Sequence, residues 1–126
     1  MIKEKNENTS RLTFSGKLEI PVKEGILHCD VADVIRIESD GSYSTLYVAG
    51  GKRYVISKGL KEYEGLLPEK EFFRVHKSHL INIHRIVKFT HSDGSFLEMG
   101  DGSLIEVARR KKDGFLRTMN VMGKAQ

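Results

Sequence analysis

Phe72-Phe73-Arg74-Val75-His76-Lys77-Ser78-His79-Leu80-Ile81-Asn82-Ile83-His84-Arg85-Ile86 packs a dense set of hydrogen-bonding side chains among apolar anchors. Phe73, Val75, Leu80, Ile81, Ile83 and Ile86 can hold the segment to a core. The interleaved Arg74, His76, Lys77, Ser78, His79, Asn82, His84 and Arg85 carry donors suited to phosphates and base edges. The run contains no carboxylate, which counts against a cation site.

Outward from this stretch, short runs rich in β-branched and aromatic residues recur between turn signals, as expected of strands. They are Leu18–Val22, Gly25–Cys29, Val34–Glu38, Thr45–Val48, Arg53–Ser57, Phe72–Val75, Ile86–His91, Phe96–Met99 and Leu104–Val107. Asp40-Gly41, Gly50-Gly51, Asp93-Gly94 and Asp101-Gly102 accept the positive φ of tight hairpin turns. Most pairings should therefore be antiparallel, between sequence neighbours.

Two segments break the strand rhythm. Between Ser57 and Leu67, helical spacing of Leu60, Tyr63, Leu66 and Leu67 predicts a short amphipathic helix, with Ser57 as candidate cap and Pro68 as stop. A second helix is predicted over Arg109–Asn120, where Phe115, Leu116 and Met119 share a face. Arg109, Arg110, Lys111 and Lys112 crowd its first turn and oppose the helix dipole, unless an anion such as phosphate sits there. These patterns predict a mainly β protein with one or two short helices. No repeat of solenoid or propeller length is present.

At 126 residues the chain suits one domain. We expect residues 1–16, rich in Lys, Glu, Asn, Thr and Ser, to be a flexible linker or tail, 17–120 the domain, and 121–126 a C-terminal tail. The net charge of +4 is unevenly spread: residues 1–71 hold 11 Lys/Arg against 12 Asp/Glu, and residues 72–126 hold 10 against 5. The basic half suits a polyanion, although charge alone does not separate this reading from ordinary solvated surface. Cys29 is the single cysteine, so no internal disulfide and no four-thiolate zinc site can form. No stretch has the apolar length of a membrane helix or the core of a signal peptide, and we expect a cytoplasmic protein.

Chemistry other than binding has little support. His76, His79 and His84 match no common zinc spacing, so no metal is expected. Cys29 sits in a strand-forming run with no Gly-rich elbow and reads as a small buried hydrophobe. Glu62 with Glu64, and Glu69 with Glu71, fall among lysines and look solvated, and the glycines form no phosphate-cradling loop. We expect neither catalysis nor a cofactor. For Arg74, between Phe73 and Val75, two readings stay open: a contact with DNA, or an ion pair with a carboxylate such as Glu38.

The pattern F-F-R-V-H-K-S-x-L-I-N-x-x-x-I closely resembles the central signature of the LytTR DNA-binding domain, an output module of bacterial response regulators. The likeness extends over Leu18 to Met119, with a second matching element at Ile105-Glu106-Val107-Ala108-Arg109-Arg110-Lys111-Lys112. The resemblance implies an elongated stack of small antiparallel sheets whose loops on one side enter DNA grooves. It implies three contact elements, here Ser42-Tyr43-Ser44, His76-Lys77-Ser78 and Arg109-Arg110-Lys111. By that likeness Ser44, Lys77 and Arg110 meet base edges in two successive major grooves. Ser78, Arg109, Lys111 and Tyr43 hold phosphates, and Asn82 matches a position that looks structural, bracing the turn after the motif, with a contact to the DNA backbone as its alternative. His76, read from its own chemistry, donates to a phosphate or to a backbone carbonyl. Ala108 stands where the family often has Ser, His79 where an aromatic is common, and Ser44 is shorter than some readers at its position.

The implied function is sequence-specific binding of double-stranded DNA in bacterial transcription regulation. An upstream receiver domain, absent from this chain, would control it, and a dimer on repeated half-sites is left open. Either the chain is a piece of a longer protein or the module stands alone. The rival expectation is a non-catalytic protein-interaction β module whose exposed edge pairs with a partner strand and whose basic face is incidental. RNA binding is weaker, because Tyr43, Tyr47 and Tyr54 are too dispersed for a stacking platform.

Overall fold

The computed structural model describes residues 10–91 and 93–124, with side chains as far as Asn120. Among the described residues, eleven strands form three antiparallel sheets. β1 (Arg11–Leu12), β2 (Lys17–Val22) and β3 (Gly25–Asp30) make the first, in that order. β4 (Val34–Asp40), β5 (Tyr43–Val48), β6 (Lys52–Ile56), β7 (Phe72–His76) and β8 (His79–Asn82) make the second, in spatial order β6-β5-β4-β8-β7. β9 (Ile86–Thr90), β10 (Phe96–Met99) and β11 (Leu104–Glu106) make the third, ordered β11-β10-β9. Helix α1 (Leu60–Leu66) joins β6 to β7, and α2 (Lys112–Lys124) follows a single 3-10 turn at Arg109–Lys111.

The central sheet explains the layering. Side chains alternate across a strand, so adjacent apolar residues need two cores. On β8, Leu80 enters a core shared with Leu18 and Ile20 of β2 and with Leu60 and Tyr63 of α1. Its neighbour Ile81 enters a second core with Leu97 and Met99 of β10, Ile105 of β11 and Phe115 of α2. The five-stranded sheet is thus covered on one face by the first sheet and α1, and on the other by the third sheet and α2. Burial on both faces makes such strands read as continuous apolar runs.

All nine strands expected from the periodicity are present, with bounds shifted by one or two residues. β1 and β8 were not expected. β8 is preceded by Lys77-Ser78, a two-residue connection without Gly, Asn or Asp, so the usual turn signal is missing. A bulge at Val75 accompanies it, with the register moving from Arg74↔Leu80 to His76↔His79. The pairing of β4 with β8, through Arg36↔Ile81, Ile37↔Leu80 and Glu38↔His79, joins strands far apart in sequence. Where glycines do mark the turns the expectation holds, with φ of 68° at Gly41 and 85° at Gly102.

Three further expectations need correction. The flexible tail does not extend to residue 16: Ser10 is buried, its hydroxyl hydrogen-bonds the fully buried Tyr63 hydroxyl at 2.8 Å, and Arg11–Leu12 pair with β2. A polar stretch can be ordered when a neighbouring strand and a buried hydroxyl satisfy it. Residues 1–9 lie outside the described residues. At the other end α2 runs on through Lys124, so 121–124 continue the helix, and 125–126 lie outside the described residues. Ser57 does not cap α1, whose N-cap is Gly59 with no side-chain hydrogen bond.

Candidate nucleic-acid interface

The turn between β7 and β8 is held at three backbone points. The Ser78 amide donates to Nδ1 of His76 at 3.1 Å, the Ser78 carbonyl accepts from the Ser39 amide at 2.9 Å, and the Lys77 carbonyl accepts from Nη2 of Arg74 at 2.6 Å. These bonds replace the glycine that a tight turn commonly uses, and they leave the exposed Lys77 side chain uncommitted. A cation on an immobilised backbone can discriminate among targets, where one on a floppy loop only attracts.

The third element is tied to the same place. The Ala108 amide donates to the Val75 carbonyl at 2.7 Å, placing the Arg109–Lys111 turn beside β7. His76, Lys77, Ala108, Arg110 and Lys111 line one open groove of about 380 Å³, with Arg74 and Glu64 completing its wall. Among the described residues no carboxylate pairs with Lys77, Arg109, Arg110 or Lys111. The groove's one acid, Glu64, is already bonded to Arg74 at 3.0 Å. The four cations at 109–112 form the 3-10 turn and the first position of α2, with Asp113 next. That carboxylate favours the dipole that the cations oppose.

Not every residue singled out above reaches this groove. Ser44 is fully buried, and its hydroxyl donates to the Lys58 carbonyl at 2.6 Å. A side chain with no exposed surface cannot meet a base edge, so Ser44 leaves the set of readers. Strand alternation sends its neighbour Tyr43 outward, at 54% exposure. Tyr43 stands at the mouth of the β4–β5 hairpin, paired with Asp40. The Ser39–Ser78 bond sets this hairpin beside the Lys77 turn.

Arg74 takes the ion-pair reading with a different partner. Its guanidinium bridges Glu64 of α1 and the Lys77 carbonyl. Glu38 lies two strands away, since β8 separates β7 from β4 at about 4.8 Å per strand. Asn82 is buried: its amide donates to the Val34 carbonyl at 2.8 Å, and its oxygen accepts from the His84 amide at 2.9 Å. It braces the 3-10 turn Ile83–Arg85 and has no surface to offer a ligand.

Sequence reasoning missed Arg36. This residue is 7% exposed and bonds Asp101 at 2.9 Å and Glu38 at 2.8 Å, with its guanidinium 3.6 Å from the centre of the Tyr47 ring. It ties the central sheet to the β10–β11 turn. Burial alone would raise the Asp101 carboxyl, but hydrogen bonds from Ser103 and the charge of Arg36 outweigh it and hold the group below its ordinary value. Nothing in the local sequence marks Arg36, because its partners are remote or on the same strand. Cys29 packs against the first core, and burial pushes its thiol up to about 11, so it stays protonated at neutral pH.

The LytTr DNA-binding domain model matches residues 24–120. The chain belongs to the LytTR DNA-binding domain family. That span holds both the Lys77 turn and the Arg109–Lys111 turn. Curated relatives include the haem-containing CO-sensing transcriptional regulator RcoM 2 of Paraburkholderia xenovorans, 32% identical over 92 residues, which are 71% of this chain and 34% of that protein. The transcriptional regulatory protein NatR of Bacillus subtilis is 33% identical over 89 residues, 71% of this chain and 36% of NatR. The chain therefore spans roughly a third of the length of these regulators. Among solved structures, a LytTr DNA-binding domain from Bacillus cereus, described as that of a methyl-accepting/DNA response regulator, superposes with a TM-score of 0.70 at 21% identity. The match covers 82% of this chain and 96% of that one, and it shows a LytTR fold of small antiparallel sheets with two helices. DNA binding is the function of this family of domains, and the chain is a domain of that kind.

Proposed function

We propose that this LytTR domain reads a specific sequence of double-stranded DNA as the output part of a longer bacterial transcription regulator in the cytoplasm, without catalysis of its own. The supporting observation is the convergence of the Lys77 turn and the Arg109–Lys111 turn on one cationic groove. In this reading Lys77 and Arg110, which line one groove, meet base edges close together on the duplex, Arg110 bidentately where a guanine is offered. Tyr43, Ser78, Arg109 and Lys111 hold phosphates, and His76 lies among them. A receiver domain elsewhere in the regulator would supply control, and two copies on half-sites about one helical turn apart would share one face of the duplex.

Selection from a random duplex pool at near-physiological salt tests this. Enrichment of a short motif is the expected result. A pool that emerges unenriched would sink the specific-recognition reading and favour a protein-interaction module with an incidental basic face. With about five phosphates neutralised, raising the salt from about 50 to about 200 mM should weaken binding roughly 500-fold.

A further inference from the structure

The Ser78 amide can donate to Nδ1 of His76 only while that nitrogen keeps its lone pair. At this position the ring must therefore be neutral, with its proton on Nε2. An imidazolium would turn an N–H toward the N–H of Ser78, and one of the three backbone anchors of the Lys77 turn would be lost. We infer that His76 is a positioning residue for DNA recognition, holding the Lys77–Ser78 turn in place only as the neutral Nε2–H tautomer, so that acidification releases the turn. This rests on the DNA-reading proposal above, and it gives His76 a role through Lys77 in place of a phosphate contact.

Most of the charged groups that face His76 are cations. Arg74 on β7, Lys77 in the turn, and Arg110 and Lys111 on the 3-10 turn share its groove, and Glu64 of α1 is already engaged by Arg74. On the β8 side the His79 ring lies 5.3 Å away, tilted 54°, and its Nδ1 is buried with no partner among the described residues. Charges around His79 are Glu38 and Arg36 on β4 and Glu106 on β11, and burial first, then His76 and Arg36, favour its neutral form.

Asparagine provides the discriminating substitution. Its side-chain oxygen, like Nδ1, is bonded to Cγ and accepts from the amide two residues on, as in an Asx turn, but it does not titrate. Binding of the selected duplex is measured from about pH 7.5 to about pH 5.5, a range that spans histidine titration. The wild type should lose roughly three- to tenfold in affinity beyond the loss seen for His76→Asn, matching one net hydrogen bond. His76→Ala should bind more weakly than His76→Asn throughout. His28, His79, His84 and His91 remain in both proteins and cancel in the comparison. His79→Phe, which removes the neighbouring titration, should keep the wild-type slope.

The same claim is read without DNA by nitrogen NMR of the histidines in the free protein. At neutral pH, Nδ1 of His76 should be unprotonated, and the Ser78 amide resonance should follow the titration of that ring. A proton on Nδ1, or a Ser78 resonance indifferent to it, would overturn the inference whatever the DNA result. Tighter wild-type binding than His76→Asn on acidification would overturn it too, by showing a charged His76 on a phosphate. Failure of the wild type to bind duplex at any pH would refute the DNA reading and leave the NMR result to decide the tautomer.

Discussion

The amide of Ala108 donates to the carbonyl of Val75 at 2.7 Å, and this bond joins the strand-to-helix junction to the strand that carries the central motif. Val75 lies one residue before His76, and Ala108 lies one residue before Arg109. The distance between Lys77 and Arg110 is therefore set by a backbone hydrogen bond between β7 and the junction rather than by loop flexibility. Ala108→Pro removes the donor at a backbone already suited to proline, with φ −61° and ψ 142°. Stability should fall by about 1 kcal/mol in denaturant titration. Affinity for the selected duplex should fall as well, because both cations lose their fixed spacing.

Arg110 and Lys111 should separate by role. Arg110→Ala should relax base preference at one position of the selected site, by about 1–3 kcal/mol of lost discrimination. Lys111→Ala should weaken all duplexes about equally and lower the salt slope by about one phosphate. Competition binding against a panel of single-base variants measures both. A change of preference in the Lys111 variant would show that the roles are wrongly assigned.

Ser44 and Tyr43 should behave as inside and outside neighbours of one strand. Ser44→Ala leaves the Lys58 carbonyl without its donor and should cost about 1–2 kcal/mol of stability, with base preference unchanged. Tyr43→Ala should scarcely alter the thermal midpoint but should weaken duplex binding. Calorimetry beside DNA titration reads both effects. A Ser44→Ala variant with altered sequence preference would restore Ser44 as a reader.

Asp101 gives stability a predictable acid limb. Its folded-state pKa is depressed below 3.8, so its contribution is fully present above the unfolded value and is lost as pH falls through the folded one. Asp101→Asn should be less stable than the wild type by about 1–3 kcal/mol at neutral pH, since Arg36 keeps only Glu38. The gap should stay constant down to about pH 4 and close below it. Chemical denaturation at a series of pH values checks this, and a gap that persisted in acid would mean that the carboxylate charge does not matter.

Periodicity and turn chemistry are local, and the parts of this protein that they control are legible in the amino-acid sequence. Nine strands, the two helices and the positive-φ glycine turns follow from residues within a few positions of each other. The F-F-R-V-H-K-S run and the basic cluster at 109–112 likewise mark two of the proposed binding elements through residues adjacent in the chain. Only the tertiary structure placed β8 between β4 and β7, since its turn carries no glycine and is held instead by Arg74, His76 and Ser39. It alone turned Ser44 inward and Tyr43 outward, because the face a strand residue occupies depends on what packs against the sheet. It also brought Arg36 to Asp101, 65 residues apart, and the Arg110 turn to the Lys77 turn. Such pairings depend on which strands lie side by side, a relationship that residues distant along the chain do not announce locally.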